Sequence, residues 1–188
     1  MTTNAPQPSS HQLDMYIVFA GDTDEESLQR IFRGLAPAVK ARARVHLLFQ
    51  CNGGIAGHGI ALYNFFRTLP IDLVLYNSGI ISSMGVIAYL GGKKRIVSKH
   101  ATFMVHHIFM HELPQVPAAV VKSLGEAMVM DDNRVKAILR EHVTLSPERW
   151  AEFEHRNLNF TADDAVACGI ANEVGDFTPP LGGPLYSL

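Results

Sequence analysis

Apolar and polar positions along the chain follow two alternating periods. MYIVFA (Met15 to Ala20) is a short apolar run with β-branched members and reads as a buried strand. It stops at Gly21. In the DTDEES that follows, Thr23 and Glu26 have capping-box spacing, and Leu28, Ile31, Phe32 and Leu35 recur at helical intervals. The strand-helix pair then returns twice. RVHLLFQ (Arg44 to Gln50) alternates enough for a second strand, and beyond the loop CNGG the apolar residues of HGIALYNFFRTL recur every three or four positions. IDLVLYN is a third strand and SMGVIAYLGG a third helix. Strands that alternate with helices at this spacing pair in parallel through crossover helices, so the pattern predicts an α/β fold.

After Gly92 the rhythm changes. KRIVS and ATFMVHH are two strand-like runs with no helix between them, and the Pro-bearing loop HELPQVP precedes the longest helical pattern in the chain. That helix, Ala118 to His142, carries Val121, Leu124, Met128, Val135, Ile138 and Leu139 on one side, and its length predicts a reach beyond a compact core toward a partner subunit. Ser146 with Pro147 opens another helix ending near Arg156, and Thr161 caps a last short one that Gly169 closes. The expected organisation is a polar arm over residues 1–14, one domain over 15–175, and a loosely held, turn-rich tail over 176–188.

Composition narrows the class. A chain of 188 residues supports one full hydrophobic core, and a net charge of −2 spread along the sequence argues against a nucleic-acid groove or a polybasic membrane surface. MTTNAPQPSS has neither the basic start nor the apolar run of a secretory signal, and no apolar segment approaches the roughly 20 residues needed to cross a bilayer. Two cysteines, Cys51 and Cys168, are too few for a disulfide framework, so the expected location is cytoplasmic.

In α/β sheets, ligands bind beyond the carboxyl ends of the strands. Two loops there stand out. Cys51-Asn52-Gly53-Gly54 lets backbone N–H groups approach a ligand closely, though Asn-Gly is also an ordinary turn dipeptide. Ser78 to Ser83 ends with two serines where a helix begins. Ser83 there is either a simple N-cap or a nucleophile with the N–H of Met84 as an oxyanion donor. Ile81 stands where the Gly-x-Ser-x-Gly elbow of the α/β hydrolases needs glycine. A base is offered by His106 or His107 at a strand end. The cluster His106, His107, His111 and Glu112 raises a metal site, but Gln115 occupies the place of the second histidine of His-Glu-x-x-His, so neither a metal nor a cofactor is predicted.

SSMGVIAYLGGKKRIVSKHATFMVHH resembles the signature of the Clp protease proteolytic subunit family, in which Ser-Met-Gly opens a helix, a Gly-Lys-Arg turn follows and a Met-Ile-His strand end carries the base. FQCNGGIAGHGIALYNFF is similar to that family's Asn-Ser-Pro-Gly-Gly loop and following helix, and FTADDAVACGIANEV to its capped helix and final strand, so the matches span Met15 to Val174. The resemblance implies a ClpP/crotonase-like fold: repeated strand-helix units around a mainly parallel sheet, with a long oligomerisation helix. It implies Ser83 as nucleophile, His106 as general base, and the N–H groups of Gly54 and Met84 as the oxyanion hole. It further implies a peptide or unfolded-protein substrate, a homo-oligomeric ring and an ATP-driven (AAA+) unfoldase as partner. The family's third catalytic residue is an aspartate, and the position that aligns with it is Asn157. An asparagine can orient the histidine but brings no charge, which implies weakened hydrolysis unless a neighbour such as Asp163 compensates. The short arm, the Pro-bearing loop after His107 and Asn52 in place of the family's proline are further departures. Asn157 and the Pro-bearing loop support one alternative, a catalytically silent paralogue that assembles or regulates, and the shared paired N–H oxyanion hole leaves a second, crotonase-type acyl-CoA chemistry.

Overall fold

The computed structural model describes residues 13–109 and 115–188. Strand β1 (Asp14–Thr23) begins where the apolar run predicts but continues past Gly21, because Thr23 is fully buried and pairs with Gly54 of β2 (Arg44–Gly54). Thr23 is therefore spent on the sheet, and the capping box expected there gives way to Asp24, whose carboxylate accepts the Ser27 N–H at 2.8 Å and starts α1 (Glu25–Ala41). Helix α2 (Ala56–Thr68), strand β3 (Asp72–Asn77) and helix α3 (Met84–Leu90) fall where the periodicity sets them. Between β3 and α3 lies a strand read from sequence as loop, β4 (Ile80–Ser82). Asn77 makes it: fully buried, its amide accepts the Gly79 N–H at 3.0 Å and donates to the Thr102 carbonyl at 2.9 Å, turning the chain toward β6 (Thr102–Val105).

Strand β2 is the hub of a nine-stranded sheet. Its first half pairs with β3 and its end with β4, so the sheet divides there into two arms. One continues from β3 through β5 (Lys94–Val97) to β8 (Glu173–Val174); the other runs from β4 through β6 to β7 (Leu158–Phe160). Among the described residues every strand pairing is parallel except β6 with β7. The core fills the space between this sheet and helices α1 to α3, with Phe49, Leu62, Phe66, Tyr89 and Phe103 fully enclosed.

Helix α4 spans Ala118–His142 as predicted, but only its C-terminal half joins the core, through Val135 and Leu139. Val120, Val129 and Met130 on the other half are exposed. Helices α5 (Pro147–Phe153) and α6 (Ala162–Cys168) start at the expected caps, Ser146 and Thr161, the latter with a complete capping box to Asp164. The tail departs from expectation. Leu185–Ser187 forms β9, parallel to β1, and the Leu188 N–H donates to the Val18 carbonyl at 2.9 Å. The free edge of β1 is the reason, since its unpaired backbone groups need partners. Residues 1–12, most of the predicted polar arm, lie outside the described residues, as do His111, Glu112 and Pro114.

Arg95 on β5 holds the ends of two helices. It is buried and its guanidinium donates to the carbonyls of Gly92 (2.6 Å), Ile170 (2.8 Å), Gly169 (3.1 Å) and Leu90 (3.5 Å), groups left without helical partners after α3 and α6. Arg95→Met removes these donors and leaves buried carbonyls unpaired. Urea unfolding is expected to show a loss of about 3 kcal/mol, and a loss below about 0.5 kcal/mol would show that water replaces the guanidinium without cost.

Candidate active site

Strands β2, β4 and β6 run in parallel with Cys51 beside Ile81 and Ile81 beside Phe103. The residues just beyond these partners therefore emerge side by side: Gly53 and Gly54 from β2, Ser83 from β4, His106 from β6. The antiparallel β7 adds one more. Leu158 lies opposite Val105, so the residue before it, Asn157, comes up beside His106. One alignment of strand ends thus brings together groups more than a hundred residues apart in sequence.

Ser83 is held in a backbone conformation that serine rarely adopts, φ +54° and ψ −127°, immediately before α3. Its own N–H donates to the Met104 carbonyl at 2.7 Å, which ties it to β6. Its hydroxyl makes no capping hydrogen bond to α3, so the simple N-cap role is not the one it fills. Ser82, by contrast, is a buried member of β4 paired with Met104. Gly53 packs directly on Ser83: a Cβ there would lie 2.5 Å from the Ser83 Cβ and 3.0 Å from its Oγ, and the backbone has φ +104°. The glycine pair is thus required by close approach as well as by conformation.

Ser83, His106, Asn52, Gly54, Ile108 and Phe109 border one cleft of about 450 Å³. Met84, the first residue of α3, is buried beneath it, and its N–H is among those that a helix start leaves without an internal acceptor. On its other side His106 borders a second depression with Asn157, Glu154, His155 and Arg156. The His106 Nδ1–H donates to the carbonyl of His107 at 2.6 Å, which leaves Nε2 as the acceptor nitrogen of the neutral ring. Asn157 itself is exposed.

A charged network stands behind His106. The His107 ring lies flat on Phe153, with centroids 4.4 Å apart, and its Nδ1 is 2.9 Å from Asp132 of α4. Asp132 also accepts the Ile108 N–H at 3.1 Å and lies 3.4 Å from Lys136, which in turn pairs with Glu154 at 3.0 Å. Partial burial pushes the Asp132 carboxyl up, but the His107 and Ile108 hydrogen bonds and Lys136 outweigh it and hold it below the ordinary carboxylate range. Its contribution to stability is therefore present above the usual carboxylate pKa and is lost as pH falls through the depressed one.

A family model described as Clp protease matches residues 8–177, most of the chain. This chain belongs to the Clp protease family. Among curated proteins it is 28% identical over 173 residues to the ATP-dependent Clp protease proteolytic subunit 3 of Streptomyces coelicolor, covering 86% of this chain and 76% of that one. It is 27% identical over 136 residues to subunit 2 of Corynebacterium diphtheriae, covering 69% of this chain and 65% of that one. Among solved structures, a ClpP1 mutant from Listeria monocytogenes superposes with a TM-score of 0.73 at 16% identity, over 86% of this chain and 91% of that one. The ClpP-like α/β fold expected from the sequence is the fold observed.

Within this Clp protease fold, sequence reading passed over Asp132. A signal was available: Asp132 interrupts the apolar stripe of Met128, Val135 and Leu139 on α4, where a carboxylate needs a partner to be tolerated. Of the four residues weighed from sequence as a metal cluster, His106 and His107 are described. His107 is engaged with Asp132, and His111 and Glu112 lie outside the described residues.

Two measurements follow from the local geometry. Ser83→Gly relieves backbone strain of roughly 1–3 kcal/mol at the cost of a more flexible unfolded chain. Chemical denaturation is expected to show a gain of about 1 kcal/mol, whereas destabilisation would mean the conformation at Ser83 is not strained. Cys51 lies buried under Gly85, and burial pushes its thiol up to about 11. At pH 8 it should resist a thiol-specific disulfide reagent in the native protein and react promptly in guanidinium chloride. Rapid native labelling at Cys51 would contradict this packing.

Proposed function

We propose that this protein is a serine peptidase of the Clp proteolytic subunit type. Ser83 Oγ attacks the carbonyl carbon of a peptide bond, and His106 Nε2 takes the hydroxyl proton and later gives it to the leaving amine. The N–H groups of Gly54 and Met84 hold the oxyanion of the tetrahedral intermediate. Asn157 borders a depression with His106 and stands at the family's third position, but the His106 Nδ1–H is spent on the His107 carbonyl and not on this amide. The observation that carries this reading is Ser83 itself, held at positive φ with its hydroxyl unspent on the helix, in a cleft it shares with a histidine.

The cleft walls contributed by Ile55, Ile108 and Phe109 suit an apolar side chain beside the scissile bond. The substrate is then an extended peptide or an unfolded protein, because a folded chain does not enter such a cleft. The apolar residues left exposed on α4 support assembly into a homo-oligomeric ring. The names of the relatives specify ATP dependence, and in this reading a separate ATP-driven unfoldase supplies it. Among the described residues no helix is long and apolar enough to cross a membrane.

A second reading, a catalytically silent subunit that assembles or regulates, is favoured by the amide at Asn157 where the family has a carboxylate. A serine-directed fluorophosphonate separates the two. The peptidase reading expects covalent labelling of wild type, none of Ser83→Ala, and a fall of about 10³-fold or more in labelling rate for His106→Ala. Equal labelling of wild type and Ser83→Ala, or none of either, would favour the silent subunit.

A further inference from the structure

The peptidase reading leaves a gap: a histidine base works best with a negative charge behind it, and the aligned third residue is an amide. We propose that Asp132, on α4, is the positioning carboxylate of this site, acting on His106 through the peptide unit between His107 and Ile108. The inference rests on the reading of Ser83 and His106 given above.

The geometry is a relay. Asp132 Oδ1 accepts the Ile108 N–H at 3.1 Å. In a trans peptide the N–H and C=O point in opposite directions, so an N–H fixed on Asp132 turns the His107 carbonyl away from it. That carbonyl is the group that accepts the His106 Nδ1–H at 2.6 Å. The sequence of bonds is Asp132 carboxylate, Ile108 N–H, His107 C=O, His106 Nδ1–H, and bonds in such a chain polarise one another. A carbonyl whose own N–H is donated to a carboxylate is a stronger acceptor. It does for the ring what a direct carboxylate does: it keeps the proton on Nδ1, leaves Nε2 free to accept from Ser83, and stabilises the imidazolium when that proton arrives.

The peptide is clamped from both ends. The His107 ring is gripped by the same carboxylate at 2.9 and 3.0 Å, stacks on Phe153, and has its Nε2 2.9 Å from the Phe153 carbonyl. The side chain of His107 thereby anchors the backbone carbonyl of the same residue, which accounts for a second histidine directly after the first. The charged and titratable groups facing this assembly are Lys136, 3.4 Å from Asp132 on the same helix, Glu154 from the turn after α5, 3.9 Å from His107 Nε2, and His155 and Arg156, which border the depression beside His106. Lys136 moderates the negative charge without cancelling it, because it also pairs with Glu154 at 3.0 Å.

The test is the pH dependence of fluorophosphonate labelling at Ser83 in the full-length protein, for wild type, Asp132→Asn and Asp132→Ala. The Asn variant keeps an acceptor for the Ile108 N–H and removes the charge. Its labelling rate is expected to fall about 10- to 100-fold, less than the ~10⁴ lost when a carboxylate in direct contact with a catalytic histidine is removed. The acidic limb of its pH–rate profile should also move to lower pH, because an imidazolium with less negative charge behind it gives up its proton more readily. Asp132→Ala should lose more, since the peptide is then free to turn. A merely structural Asp132 would leave the limb where it is, and an unchanged rate and limb in Asp132→Asn would overturn the relay while leaving the peptidase reading intact. Wild type that is not labelled at Ser83 at all would overturn the reading and the relay with it. Should the variants fail to fold, ¹⁵N spectra of the histidine rings in wild type decide the point: a proton on His106 Nδ1 and none on Nε2 at pH 8 is the result expected, and the opposite tautomer contradicts it.

Discussion

The parallel register of β2, β4 and β6 is the constraint on which the rest depends. Because Cys51, Ile81 and Phe103 lie abreast, the Gly53-Gly54 pair, Ser83 and His106 leave the sheet at one line. Polar groups secure that register as well as apolar packing. Asn77 bonds to Gly79 and Thr102, Gln50 accepts the Ile80 N–H at 3.1 Å, and the Ser83 N–H reaches Met104. A slip of one residue in β4 would turn Ser83 to the opposite face and break the bonds of the Ile80 and Ser83 N–H groups, so the register of β4 fixes where the serine lies.

In the peptidase reading, stability and chemistry pull in opposite directions at Ser83. The conformation that frees its hydroxyl from the helix costs free energy, and the neighbouring Gly53 gives up a side chain so that the two backbones can touch. The surroundings offset this with rigidity. α3 behind Ser83 is buried along its whole length, and Arg95 ties the carbonyls that follow it to those that follow α6. Behind His106 a different kind of rigidity operates, through charge: α4 reaches across to hold the strand end by Asp132. The same helix leaves apolar residues of its other half exposed, so the element that holds the strand end carrying His106 also presents an uncovered surface.

Most of the fold was legible in the sequence because buried strands and amphipathic helices follow periods that burial enforces. Helix α4 is found residue for residue, and the caps at Ser146 and Thr161 form as their side chains predict. The misses lie where tertiary pairing overrides local preference. Thr23 has the residue type and spacing of an N-cap, yet the sheet claims it; β4 is three residues long, too short for any period, and exists because β2 and β6 flank it; β9 forms because β1 has an open edge. In the site, the loop glycines, Ser83 and His106 carried a recognisable motif. Asp132 showed only as a carboxylate interrupting an apolar stripe, because its link to His106 runs through a backbone carbonyl, which no pattern of side chains records.

The crystal structure of the protein after reaction with a fluorophosphonate would show directly whether Ser83 and the two N–H groups act together. Phosphorus is expected to be bonded to Ser83 Oγ, with one phosphonyl oxygen within about 3 Å of the N–H groups of both Gly54 and Met84 and His106 Nε2 facing the ester oxygen. A phosphonyl oxygen turned to solvent with those N–H groups unused, or an adduct on any other residue, would contradict it.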